Sequence, residues 1–316
     1  MNKSAFFDFG NERGILRISI AVTIFIAAVG VAFGLLSGSF SIVFDGIYSL
    51  VDAGMSFLAL IVTRLITSYA TSQRLSPRLR KRFSMGFWHF EPMIVGLNGL
   101  LLISVAVYAF LNAASNLLEG GHDLEFEWAL LYAAIAAAVC FTMATAETRA
   151  NRTIRSDFLR IDIKSWTMDG GITAALLLAF CLGLAIQDTQ WQWLSPYIDP
   201  GVLMLVCLII IPLPISTVRQ AFSEVMLITP APLLQHVEAV AGRFTEKYGF
   251  SFYRAYAAKV GRSTQIELYF IVPSASAART IEEWDALRDE IGDALGDAGP
   301  DRWLTIVFTA DPEWAE

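Results

Sequence analysis

The stretch Phe44-Asp45-Gly46-Ile47-Tyr48-Ser49-Leu50-Val51-Asp52-Ala53-Gly54 lies inside an apolar block that runs from about residue 42 to 66. About twenty such residues, coiled as a helix, cross the roughly 30 Å of hydrocarbon in a bilayer. An isolated strand could not satisfy its backbone there. Asp52 sits about ten residues in, roughly 15 Å deep at 1.5 Å per residue. An ionised carboxylate at such a depth costs about 2.5–3.5 kcal/mol on insertion scales, so an acid held there marks function, most often an ion or proton path. Helical spacing puts Asp45, Tyr48, Ser49 and Asp52 on one face. Tyr48 and Asp52, one turn apart, can aim oxygens into one pocket, whereas Asp45 lies about 10 Å nearer the outer surface.

Five further apolar blocks surround this one, near residues 15 to 36, 93 to 114, 127 to 146, 164 to 187 and 198 to 217. With 55% hydrophobic residues and a mean hydropathy of +0.53, the chain reads as a six-span membrane protein. The first block is too long for a signal peptide and lacks a small-residue cleavage site, so it counts as a span. Within it, Gly30-xxx-Gly34 is a helix-packing signal.

Basic residues orient the spans. They gather at Lys3, Arg13 and Arg17, at Arg64, Arg74, Arg78, Arg80, Lys81 and Arg82, and at Arg149, Arg152, Arg155, Arg160 and Lys164, while the loops near 37 to 41, 115 to 126 and 188 to 197 have none. The positive-inside rule then places both termini and the second and fourth loops in the cytoplasm, as an even number of spans requires. Short loops and a compact chain suit a bacterial inner membrane. Phe87, Trp88 and Phe90 read as an interfacial aromatic belt.

The net charge of -7 is concentrated in the tail, because residues 219 to 316 hold nine basic and fifteen acidic side chains. That balance argues against nucleic acid as a partner. Cys140, Cys181 and Cys207 fall in apolar spans without metal or redox spacing and read as small buried hydrophobes.

The tail follows a different pattern. Pro230 and Pro232 break the chain, then Leu233 to Tyr248 has helical spacing. Strand-like runs follow at Ser251 to Val260 and Thr264 to Val272, joined by the hairpin signal Gly261-Arg262-Ser263. An amphipathic helix over Ser276 to Leu295 and a strand over Arg302 to Thr309 complete an αββαβ order. The expected fold is therefore an all-α six-helix transmembrane domain over 1–218 and a small cytoplasmic α+β, ferredoxin-like domain over 219–316. A three-stranded sheet with one uncovered face invites pairing with a second copy.

The fifth span carries the other half of the chemistry, Arg160-Ile161-Asp162-Ile163-Lys164-Ser165-Trp166-Thr167-Met168-Asp169-Gly170-Gly171. Asp162, Ser165 or Trp166, and Asp169 share a face, with Asp169 near mid-depth. Two helices that each present an acid at one depth, with oxygen donors a turn away, suit a hard or borderline divalent cation. Gly54, Gly170 and Gly171 are expected to allow close helix approach. Asp162, beside Lys164, reads as a structural or path charge, Asp45 as a vestibule acid or relay, and Glu91 as a helix N-terminal acid at the mouth of a proton path.

These features together resemble the cation diffusion facilitator family over almost the whole chain. The resemblance rests on six spans, Ser37-Gly38-Ser39-Phe40-Ser41, Tyr48-xxx-Asp52, Gly86 to Glu91 followed by Leu97-Asn98-Gly99-Leu100, Asp169-Gly170 and the αββαβ tail. It implies a homodimer with no prosthetic group that exports divalent metal from the cytoplasm in exchange for protons. The family's metal-binding quartet maps onto Tyr48, Asp52, Ser165 and Asp169, and by resemblance Glu267 and Asp311 fall where a cytoplasmic metal site is found in some members. Zinc-selective members usually have His or Asp at the positions of Tyr48 and Ser165. Zinc prefers nitrogen or sulfur in closed tetrahedral sites, so the oxygen-rich set points to Fe2+, Mn2+ or a broad range that includes Zn2+, Co2+ or Cd2+. Two rival readings use the same residues: a membrane metal sensor that does not transport, and an intramembrane aspartic protease whose two acids share a proton.

Overall fold

The computed structural model describes residues 12–70, 81–83, 86–121, 125–154, 157–187, 189–274, 276–299 and 301–315. Arg74, Arg78, Arg80 and Arg155 of the basic clusters, like Lys3, lie outside the described residues. Six helical stretches are long and apolar enough to cross a membrane, and they coincide with the six blocks read from the sequence. The helices are α1 (Glu12–Ser37), α2 (Phe40–Ala70), α3 (Phe90–Leu118), α4 (Phe126–Ile154), α5 (Asp157–Ile186) and α6 (Ser195–Ile210). A turn containing Pro212 and Pro214 separates α6 from α7 (Ile215–Val225), as expected where proline removes helix donors.

The chain divides into two compact units, Met1–Phe57 with Asn98–Ser216, and Leu58–Leu97 with Thr217–Glu316. The boundary passes through α2 and α3, so each of these helices contributes to both.

Small residues set the packing of the first unit. A side chain on Gly46 would strike the backbone of α1 at Ala27 and Val31, and one on Gly34 would strike the backbone of α2 at Val43, so α1 and α2 touch where glycine allows it. Gly30 faces the ring and hydroxyl of Tyr132 from α4. The Gly30-xxx-Gly34 signal thus serves two neighbours. Gly170 packs on Cys140 and Phe141 as expected, but Gly54 and Gly171 face open space. Cys140 and Cys207 are buried, whereas Cys181 is exposed on its helix, contrary to the sequence expectation.

The N-terminal end of α2 is held by a tie that the sequence did not reveal. Asp199 of α6, only 2% exposed, accepts hydrogen bonds from Ser39 Oγ (2.6 Å) and from the backbone N–H groups of Phe40 (2.9 Å) and Ser41 (3.4 Å). Its own carbonyl accepts from Ser41 Oγ (3.1 Å). The first N–H groups of a helix lack partners within it, and here a carboxylate from another helix supplies one, with the charge sign that the helix dipole favours. This gives Ser39 and Ser41 a physical role.

In the second unit the tail has the expected order: α8 (Ala231–Tyr248), β1 (Phe252–Val260), β2 (Ser263–Ile271), α9 (Ile281–Leu295) and β3 (Arg302–Thr309). The sheet runs β1-β2-β3, antiparallel then parallel. Gly249 ends α8 at φ +69°, and Gly261 makes the hairpin turn at φ +59°; both lie in the left-handed region where glycine has no steric penalty. Thr280 and Glu283 form a capping box at the start of α9. Val237, Val240, Phe244, Leu268, Phe270 and Ile291 build the core between helices and sheet. At the tail's surface Lys247 holds Glu290 below the usual carboxylate range, and Glu290 in turn raises Lys247.

The same unit contains the C-terminal end of α2 and the N-terminal end of α3. Phe87 and Trp88 are not an interfacial belt: both are buried, in one cluster with Val62 and Ile66 of α2 and Val260 of β1. Glu91 is occupied as well. It accepts from the backbone N–H of Arg262 (3.3 Å), from Nε (3.1 Å) and from Nη2 (3.4 Å), a fork on a carboxylate at the hairpin tip. The adjacent N–H of Gly261 donates to Glu224 of α7 (2.9 Å). With three donors on it, the carboxylate of Glu91 anchors the hairpin tip.

Candidate functional site

A cavity of about 80 Å³ opens between α2, α5 and α6, room enough for a hydrated ion. Its polar wall comes from Asp45, Tyr48 and Ser49 on α2 and Asp169 on α5, and its apolar wall from Leu203, Val206 and Ile210 on α6. The one-turn spacing that places Asp45, Tyr48 and Ser49 together was read from the sequence; that Asp169 meets them is a matter of how α5 packs against α2. Asp45 and Asp169 share the cavity more closely than depth alone suggested. The hydroxyl of Tyr132 donates to Asp45 (3.1 Å), reaching it across the bare backbone of Gly30.

Asp52 lies just beyond this wall. Asn98 of α3 donates from Nδ2 to its Oδ1 (3.3 Å). Tyr48 is within electrostatic reach of both Asp52 and Asp169, and Asp169 is within reach of Asp45, Asp52 and Asp162. Three members of the expected quartet, Tyr48, Asp52 and Asp169, are thus neighbours. The fourth, Ser165, is exposed and does not line the cavity, while Trp166, its alternative on that face, is buried and donates from Nε1 to Ser19 (2.9 Å). A helix turns 100° per residue, so i+3 and i+4 straddle the true inward direction, and bulk decides which one packs inside.

Asn98 is a functional residue that residue-by-residue reading passed over. It appeared only within a motif, although an amide in an apolar span has the same cost logic as an acid. Its Oδ1 is buried with no hydrogen-bond partner among the described residues, next to the donor that grips Asp52. A carbonyl oxygen left free beside a carboxylate is a hard-cation ligand in waiting. Asn98→Leu is therefore expected to weaken metal binding about 10–100-fold, as loss of an orienting partner does, measured by isothermal titration of the purified protein. Affinity within about twofold of the parent would show that Asn98 only packs.

The remaining expected residues are placed elsewhere. Asp162 faces Glu147 and Ser19. In the tail, Asp311 uses Oδ1 to accept from the N–H of Glu313 (3.1 Å), and Glu267 accepts from Tyr269 (3.2 Å). Their partners are already local. Among the described residues no group of three or more His, Cys, Asp or Glu side chains converges to hold a metal, in the tail or in the spans. His236 bonds the carbonyl of Leu295 (3.1 Å). The cavity and its edge bring together three carboxylates, Asp45, Asp52 and Asp169, near neutral oxygens, the donor types of a hard or borderline divalent ion.

No curated protein matches the chain. The cation efflux transmembrane domain matches residues 16–226, two thirds of the chain and all six spans. With that match, the chain belongs to the cation diffusion facilitator family, integral membrane transporters of metal cations and not enzymes.

Proposed function

We propose that the protein moves a divalent cation out of the cytoplasm in exchange for protons, with the ion held by Asp52 and Asp169 and completed by Tyr48, Asn98 and water. The observation that carries this reading is the meeting of Tyr48 and Asp169 in one cavity with Asp52 alongside. Carboxylates must be deprotonated to bind metal, so metal uptake at the site releases protons and proton return expels metal. Alternating exposure of a fixed site by rocking helices then gives exchange. With oxygen donors only, Fe2+ and Mn2+ are favoured over a strict preference for Zn2+.

Cytoplasmic termini follow from the basic loops, and a bacterial inner membrane suits the short loops. The open face of the tail sheet, where Phe252, Tyr256 and Trp303 are exposed opposite the helix-covered face, supports a homodimer.

Reconstituted protein is expected to move Mn2+ or Fe2+ across liposomes in proportion to an imposed pH gradient, and Zn2+, Co2+ and Cd2+ no faster. Folded protein that binds these metals without moving any of them would replace transport with metal sensing.

A further inference from the structure

Helices α4 and α5 run antiparallel in close contact, with Cys140 against Gly170. Seven residues further along α4 and eight back along α5, Glu147 of α4 meets Asp162 of α5. Glu147 is 0% exposed. Its carboxyl faces Asp162, Ser19 of α1 and the indole of Trp166. Yet neither oxygen of Glu147, nor Oδ2 of Asp162, has a hydrogen-bond partner among the described residues. The indole N–H is already given to Ser19.

Ionised carboxylates only accept hydrogen bonds, so two of them in contact leave both unsatisfied unless a proton lies between them. Like charges at such a distance cannot both persist in a medium of low dielectric constant. The other charged groups acting on the pair are acids too: Asp52 of α2 acts on Asp162, and Asp162 acts on Asp169. A divalent ion fits poorly, because Glu147 and Asp162 with one hydroxyl fall short of the six or more oxygens that hard cations take.

We propose that Glu147 and Asp162 hold one proton between them and form a second proton-binding station of the transport path, one heptad along α5 from Asp169. A heptad is about 10 Å of helix, a distance that a few waters or a helix shift bridges. The pair's part in transport rests on the function proposed above; its bound proton does not.

Infrared spectroscopy of the full-length protein separates the two. In an Asp52→Asn/Asp169→Asn background, which removes the metal site, the protonated-carboxyl absorption at neutral pH is expected to diminish on Glu147→Gln and, independently, on Asp162→Asn, each shown to be folded by circular dichroism. A spectrum unchanged by both variants overturns the proposal. So does Mn2+ or Zn2+ binding in that background that disappears with Glu147→Gln, since it would put a metal in place of the proton. In the otherwise unaltered protein, Glu147→Gln is expected to keep metal binding but lower the number of protons returned per metal by one. Unchanged coupling beside a lost absorption would make the pair a structural acid and end its role in the path.

Discussion

Asp52→Ala and Asp169→Ala are each expected to reduce metal flux in proteoliposomes to that of protein-free vesicles. The proposed ligands include two carboxylates, Asp52 and Asp169, while Asp45 accepts from Tyr132, so removing either ligand leaves a doubly charged ion with a single directly bound carboxylate in a low-dielectric span, where an uncompensated charge is costly. The loss is expected to exceed the 10–100-fold typical of outer partners. Asp169→Asn should fail nearly as completely, since it keeps the shape and removes the charge. Ser165→Ala, by contrast, should leave flux within about twofold, because Ser165 does not line the cavity. If Ser165→Ala were as damaging as Asp169→Ala, the assignment of three neighbouring ligands without Ser165 would be wrong. If flux survived both Asp variants, the ion would pass elsewhere.

The second large effect lies away from the ion. Asp199→Ala removes the acceptor of Ser39 Oγ and of two N–H groups that open α2. A lost helix cap costs about 0.5–2 kcal/mol, and each buried donor left without a partner about 1–3. The total is expected to reach about 3–5 kcal/mol, read as a fall of roughly 10 °C in the midpoint of thermal unfolding in detergent. Flux should fall as well, since α2 carries Asp45, Tyr48 and Asp52 and its N-terminal end would be untethered. Asp199→Asn keeps one acceptor and should lie between. An unfolding midpoint within about 2 °C of the parent for Asp199→Ala would mean that water replaces the carboxylate and the tie is weak.

The acids differ in how visible they are in the sequence. Asp45, Asp52 and Asp169 stood out because each interrupts an apolar span, where charge has a cost that only function offsets. Glu147 and Asp199 escaped notice for a positional reason: Glu147 comes one residue after the stretch read as the fourth span and Asp199 one residue into the sixth, where acids at a membrane edge look solvated. The longer α4 and the packing of α6 on α2 bury both. Glu91 erred in the opposite direction, since a first-turn acid looks available until Arg262, 171 residues away, is found on it.

The sequence alone determined what depends on composition and local period: six spans, most of their limits to within a few residues, the αββαβ tail, the shared face of Asp45, Tyr48 and Asp52, and the turn glycines. Hydrophobic length and helical repeat act over a few residues, so they are written in order along the chain. Tertiary structure alone decided which face of α5 turns inward, placing Trp166 there and Ser165 outside, and which distant side chains meet: Asp199 with the start of α2, Asn98 with Asp52, Glu147 with Asp162. Such meetings depend on the rotation and offset of whole helices, set by glycine contacts and bulky side chains summed over the bundle, and no single stretch of sequence contains that sum.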